Sequence, residues 1–243
     1  MAAMKNTNPR EAAERLTAGL RERAGPNLRS VLLHGSVARD EAVPGVSDVN
    51  VLVLLDDVGP AQLHAIAPLA REWRESAGGP PLILAEREWA RAADVFAIEV
   101  ADMKDAHELL YGMDPVATME PKRTELRLQT ERELRGKLLQ LREGTLVAAD
   151  SPTELGWLLS AALPSFTTYM RATLRLVGKP VPRDTPSVII AAAATIAGDP
   201  SSFATVWEAR SAGRKLEARI TDPIVAAFYG LAERMADHVD RLP

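Results

Sequence analysis

Two apolar runs, Val31-Leu32-Leu33 and Val51-Leu52-Val53-Leu54-Leu55, lie close together and set the reading of their surroundings. Both are short and rich in valine and leucine, which predicts a pair of buried strands over residues 29–34 and 48–55. Upstream, Ala12, Ala13, Leu16 and Leu20 recur at helical spacing, and Gly25-Pro26 ends a helix over residues 10–24. Downstream, Asp56-Asp57 and Gly59-Pro60 form a turn, with Pro60 placed near a helix start. Leu63, Ile66, Leu69, Ala70 and Trp73 then mark the buried side of a helix over residues 61–77, stopped by Gly78-Gly79-Pro80-Pro81. A short buried strand over 82–85, a short helix over 86–93 and a fourth strand over 95–103 complete the first half. The order predicts an α+β domain, a small mixed sheet flanked by helices.

From about Met119 the strand pattern stops. Residues 120–149 read as one long charged helix, with Leu126, Leu134, Leu138, Leu141 and Thr145 on one side. Ser151-Pro152-Thr153-Glu154 has the form of a capping box opening a helix to about Val177, with Pro164 inside it as a kink or break. Gly178-Lys179-Pro180-Val181-Pro182 is a rigid connector. Further helices follow over 186–197, 203–213 and from Thr221-Asp222-Pro223 to about Leu242. The chain therefore divides into residues 1–118, α+β, and residues 119–243, an all-α helical bundle.

At 243 residues, 47% hydrophobic and 26% charged, the chain has the composition of a soluble globular protein with a sizeable core. No apolar run approaches the roughly 20 residues of a membrane span, and the N-terminus has no signal-peptide apolar core. The absence of cysteine excludes disulfides and thiolate metal sites and fits the cytoplasm. His34, His64, His107 and His238 show no ligand spacing, so no zinc site is assigned. The net charge of −4 argues against non-specific nucleic-acid binding. It is unevenly shared: 12 basic against 18 acidic residues up to residue 118, and 17 against 15 beyond it. An acidic half beside a mildly basic one suits a phosphate-bearing substrate, and chance variation in solvated surface explains it equally well.

Strand side chains alternate, so Asp48 and Asn50 share one face and Val49 and Val51 the other. Two polar side chains on a valine-leucine strand cost about 1–3 kcal/mol each if buried without partners, and so need a purpose. Gly35-Ser36, eleven residues, then Asp48-x-Asn50 among apolar residues resembles the signature of the nucleotidyltransferase (polymerase-beta-like) superfamily. Within it, the likeness is to the minimal, aminoglycoside-nucleotidyltransferase-like type with a C-terminal helical domain. Arg39 matches its Gly-Ser-x-x-Arg form, and residues 107–115 resemble the segment that closes its catalytic domain. The glycine lets the backbone approach a triphosphate, and the Ser36 hydroxyl can bond it.

The resemblance implies a nucleoside triphosphate bound at Gly35 and Ser36, and Mg2+ (or Mn2+) held by the strand carboxylate Asp48 and by Glu99, helped by Asn50. It implies a third carboxylate on a later strand, where Glu99 stands among apolar neighbours. Asp102, of opposite parity, reads instead as part of a solvated turn with Asp105 and Glu108. The helical domain usually forms one wall of the substrate cleft, and Arg123 and Arg127 are the phosphate contacts offered from the long helix. Arg127, Glu131 and Arg135 are also spaced for mutual salt bridges. Arg39 has two readings, a triphosphate or a local pair with Asp40 or Glu41, and Ser47 also has two, a turn cap first and a phosphate contact second.

Asn50 departs from the family, which has a second carboxylate there. An amide oxygen can still ligate but brings no charge to neutralise a transferring phosphoryl group. Two functions follow. One is a nucleotidyltransferase that passes a nucleotidyl group to a hydroxyl acceptor of unassigned identity, with Asp48, Asn50 and Glu99 as its catalytic set. The other is a catalytically inactive module of the same fold, a nucleotide sensor or an antitoxin-like partner-binding protein. The apolar helix at 187–196 suits a core or a dimer face.

Overall fold

A computed structural model of the chain describes residues 8–43, 46–77 and 79–243. The helix stop read at residues 78–81 includes Gly78, which lies outside them. Two compact units divide the chain, Met1–Glu120 and Pro121–Pro243.

In the first unit the helices are α1 (Pro9–Ala24), α2 (Pro60–Ala77), α3 (Glu86–Trp89) and α4 (Ala97–Asp105), and the strands β1 (Leu28–His34), β2 (Asn50–Leu55), β3 (Leu82–Ala85) and β4 (His107–Gly112). The sheet order among the described residues is β3-β2-β1-β4, with β1 antiparallel to β2 and β4, and β2 parallel to β3. It is a mixed sheet with helices packed on both faces. Alternation along the strands divides them: Val31, Leu33, Val51, Val53 and Leu55 pack with Leu16, Leu20, Ile66 and Trp73. Leu32, Leu52 and Leu54 point the other way, to Trp89, Val100, Met103 and Val116. A strand apolar on both faces must be covered on both, which is why these runs read as continuous rather than alternating. The two tryptophans bury their rings and keep their N–H groups satisfied: Trp73 donates to the Gly79 carbonyl and Trp89 to that of Pro115, each at 2.9 Å.

The fourth strand is not where the sequence pattern put it. Residues 97–105 are helix α4, and Ala97, Ile98, Val100, Ala101, Asp102 and Met103 are all buried. Burial on nearly every side erases the periodicity that separates a short strand from a short helix. The strand that completes the sheet is β4, a half-exposed edge in the segment 107–112.

The second unit is all-α: α5 (Arg123–Ala148), α6 (Pro152–Leu176), α7 (Thr185–Thr195), α8 (Ser201–Ser211) and α9 (Pro223–Asp240). Ser151 caps α6, its hydroxyl accepting from the Glu154 N–H at 3.3 Å, as the capping sequence requires. Phe203 and Phe228 stack with centroids 4.2 Å apart, and Phe166 meets both edge-on, so α6, α8 and α9 each give one ring to the core. Leu126, Leu134, Leu138 and Leu141 bury one side of α5. Its polar side is tied to α9 by Arg135 to Asp240 at 3.0 Å and Arg142 to Glu233 at 2.9 Å. Pro164 does not break α6, which runs through it. Among the described residues no helix is long and apolar enough to cross a membrane.

Candidate functional site

β1 delivers the chain to the site. Leu32 faces the α4 side of the sheet, so His34 lies on that face as well, and the strand then ends in Gly35 at φ +76°. That left-handed conformation is open to glycine and strained for other residues. It folds residues 35–41 into a compact turn in which Arg39 N–H donates to the Gly35 carbonyl at 3.3 Å and Glu41 N–H to that of Ser36 at 2.9 Å. Val37 is buried on the α1 side of the sheet and anchors the turn from within. Arg10 of α1 clamps it from outside, donating to the Val37 carbonyl at 3.1 Å and pairing with Asp40 at 2.8 Å and Glu108 at 3.1 Å. The Asp40 and Glu108 hydrogen bonds raise the Arg10 pKa above its ordinary value.

β2 brings the second piece. Asn50 opens it, directly opposite His34 in the antiparallel register, and His34 is in turn opposite His107 on β4. The end of the sheet is thus a row of His107, His34 and Asn50. A side-chain carbon added to Gly35 would lie 2.7 Å from the Asn50 amide nitrogen, so turn and amide are in close contact. Asp48, two residues earlier, is exposed and precedes the strand. Ser47 acts as a turn cap: its hydroxyl accepts from the Val43 N–H at 2.9 Å.

Across this face lies α4. Glu99 stands in its first turn, partly buried. Asp102, read from the sequence as part of a solvated turn, is buried and paired with Arg39. On a strand Asp102 and Glu99 face opposite ways, whereas on the helix three residues bring them to the same side. The Arg39 guanidinium reaches Asp102 and, at 3.4 Å, the Gly35 carbonyl. Burial pushes the His34 imidazole down to about 4, aided by the charges of Arg39 and His107 and opposed by Asp102. His107 bonds the Met103 carbonyl at 2.7 Å and Asp114 at 3.2 Å, joining β4 to the end of α4.

Gly35, Ser36, Arg39 and Asn50 are therefore gathered at one end of the sheet, with Asp48 just before the strand and Glu99 on the helix that covers that face. Arg123 and Arg127 belong to the second unit and are engaged there. Arg123 donates to the carbonyls of Leu176, at 3.2 Å, and Pro243, and Arg127 pairs with Glu131 at 3.0 Å. Among the described residues no group of three or more His, Cys, Asp or Glu is arranged to hold a metal ion. Asp102, Arg10 and His34 are the site neighbours that the sequence motif did not reveal. Their only signal was a charged or titratable residue within or beside an apolar stretch.

No protein-family model matches the sequence, and no curated protein matches it. A crystal structure of spectinomycin adenyltransferase AAD(9) from Enterococcus faecialis, with ATP and spectinomycin, is similar in fold. The likeness has a TM-score of 0.61 at 14% identity and covers 94% of this chain and 99% of that one. Over nearly its whole length, the chain has the fold of that adenyltransferase.

Proposed function

We propose that the chain binds a nucleoside triphosphate at the Gly35-Ser36 turn and transfers a nucleotidyl group to a hydroxyl acceptor. The observation that carries this reading is the left-handed Gly35 turn set against Asn50, with Asp48 exposed two residues before it. A glycine at the end of a strand presents backbone to a phosphate without side-chain obstruction. In the reaction the acceptor oxygen bonds to the α-phosphorus, pyrophosphate leaves, and the hydroxyl proton passes to a base, for which Glu99 is the carboxylate offered by α4. The solved neighbour was crystallised with ATP and an antibiotic, which supports a nucleotide here and leaves the acceptor of this chain unassigned.

Magnesium fits this donor set in one way. Mg2+ is commonly bound through one or two carboxylates together with substrate phosphates. Asp48 with the Asn50 amide oxygen is too sparse for a resident ion and adequate for one delivered with the triphosphate. There it would neutralise phosphate charge. Asn50 also favours a second reading. With an amide in place of the second carboxylate, the chain binds nucleotide without turnover and acts as a sensor or a partner-binding module.

Thermal melting with ATP and Mg2+ tests the shared premise. Wild type should gain several degrees, and Asp48→Ala should lose that gain. An equal shift in both proteins places the nucleotide elsewhere. Transfer of α-labelled phosphate across an acceptor panel separates the two readings. Label transferred by wild type and abolished by Asp48→Ala supports the transferase. Transfer that appears only after Asn50→Asp supports the retired module.

A further inference from the structure

The ion pair between Arg39 and Asp102 is almost wholly withdrawn from water, the two residues being 6% and 8% exposed. Stability alone does not account for it. Desolvating two charges offsets much of their attraction, and apolar residues of similar volume usually fill such a site equally well. Its geometry offers another reason. One arm of the guanidinium donates to the Asp102 carboxylate on α4, and the other reaches the Gly35 carbonyl at 3.4 Å. The backbone N–H of Arg39 goes to the same carbonyl at 3.3 Å, so one residue grips the left-handed glycine twice. A lysine has no such fork. Asp102 lies three residues after Glu99 on α4, on the same side of the helix. The pair thus fastens the Gly35-Ser36 turn to the helix that carries Glu99. The charges of both partners also register at His34, between turn and helix.

We propose that Asp102 is a positioning residue of the nucleotide site: through Arg39 it holds the Gly35-Ser36 turn in its left-handed form and fixed against α4. This rests on the nucleotide-binding reading above, and the test keeps the two apart. Hydrogen exchange of the full-length protein without ligand reports the turn itself, because the N–H groups of Arg39, Asp40 and Glu41 all bond within it. ATP affinity in the presence of Mg2+ reports the site. The variants are Arg39→Lys, which keeps the charge and loses the fork, and the double Arg39→Met with Asp102→Leu, which replaces the pair by apolar volume. Both should melt near wild type, exchange residues 35–41 at least tenfold faster with β1 and β2 still protected, and bind ATP at least tenfold more weakly. Should the double variant fail to fold, Arg39→Lys carries the same comparison.

Unchanged exchange over residues 35–41 in the folded variants overturns the proposal, and so does a loosened turn with wild-type ATP affinity, which reduces the pair to a structural one. If wild type binds no ATP, the nucleotide-binding reading fails instead, and the assignment of Asp102 to a nucleotide site falls with it, whatever the exchange of the turn shows.

Discussion

At the scale of single residues, the site end of the sheet is defined by what each side chain denies to its neighbour. Gly35 leaves room for the Asn50 amide, and Asn50 places a neutral group opposite His34. His34 is held neutral by burial, its pKa lowered from 6.5 to about 4. The sign follows from proton counting. Between those two values the unfolded chain binds a proton that the folded chain refuses, so stability falls as pH falls through the window. At pH 5 the loss is about 2 kcal/mol relative to neutral pH. Denaturant unfolding of wild type and His34→Asn at pH 7 and pH 5 measures it. The variant should lose less stability than wild type by roughly that amount. His238 is also lowered by burial and acts in the same direction, but it is common to both proteins and cancels in the difference. Equal losses would show that His34 is free to take up a proton in the fold.

At the scale of elements, legibility depended on whether burial left a period to read. β1 and β2 were plain because apolar runs of that length between turns make buried strands, and α5, α6 and α9 because each keeps a polar side. α4 was not, because six of its residues, Asp102 among them, are buried. The edge strand β4 was not, because it is half-exposed along its length. The same limit decided the site: Gly35, Ser36, Asp48 and Asn50 stand out by type and spacing, whereas Asp102 acquires its role from a helix the pattern did not show. Pro164 gives the opposite case, a residue whose type suggests a break that packing removes. Lacking an N–H, it leaves the Ser160 carbonyl without its helical partner, and Arg210 of α8 donates to that carbonyl at 3.2 Å. Arg210→Met should therefore cost about 1–2 kcal/mol in wild type. In a Pro164→Ala background, where the helix supplies its own donor, it should cost about 1 kcal/mol less. A double-mutant cycle by chemical denaturation isolates this coupling, since any other contact of Arg210 appears on both sides. Strict additivity would remove Arg210 as the replacement donor.

At the scale of the whole molecule, each unit has apolar packing of its own. One face of β1 and β2 shares an apolar cluster with α1 and α2 and the other face shares one with α3 and α4, both within Met1–Glu120. The unit Pro121–Pro243 is centred on the Phe166, Phe203 and Phe228 rings. Phe203 is fully buried, stacked face to face on Phe228, and touched edge-on by Phe166, so its removal leaves a cavity that two other helices line. Phe203→Ala should cost about 3–5 kcal/mol. Against a typical domain stability of roughly 5–15 kcal/mol, that is a large fraction for one side chain. Hydrogen exchange resolved by segment shows where the loss falls. Peptides from α6, α8 and α9 should exchange faster by two to three orders of magnitude or more, the rate equivalent of about 3–5 kcal/mol. Peptides from β1 and β2 serve as the internal reference and should keep their protection, since every apolar partner in their clusters lies in the first unit. An equal gain in exchange across sheet and bundle would mean that the two cores unfold as one, and the mutant would then report a stability that belongs to the whole chain.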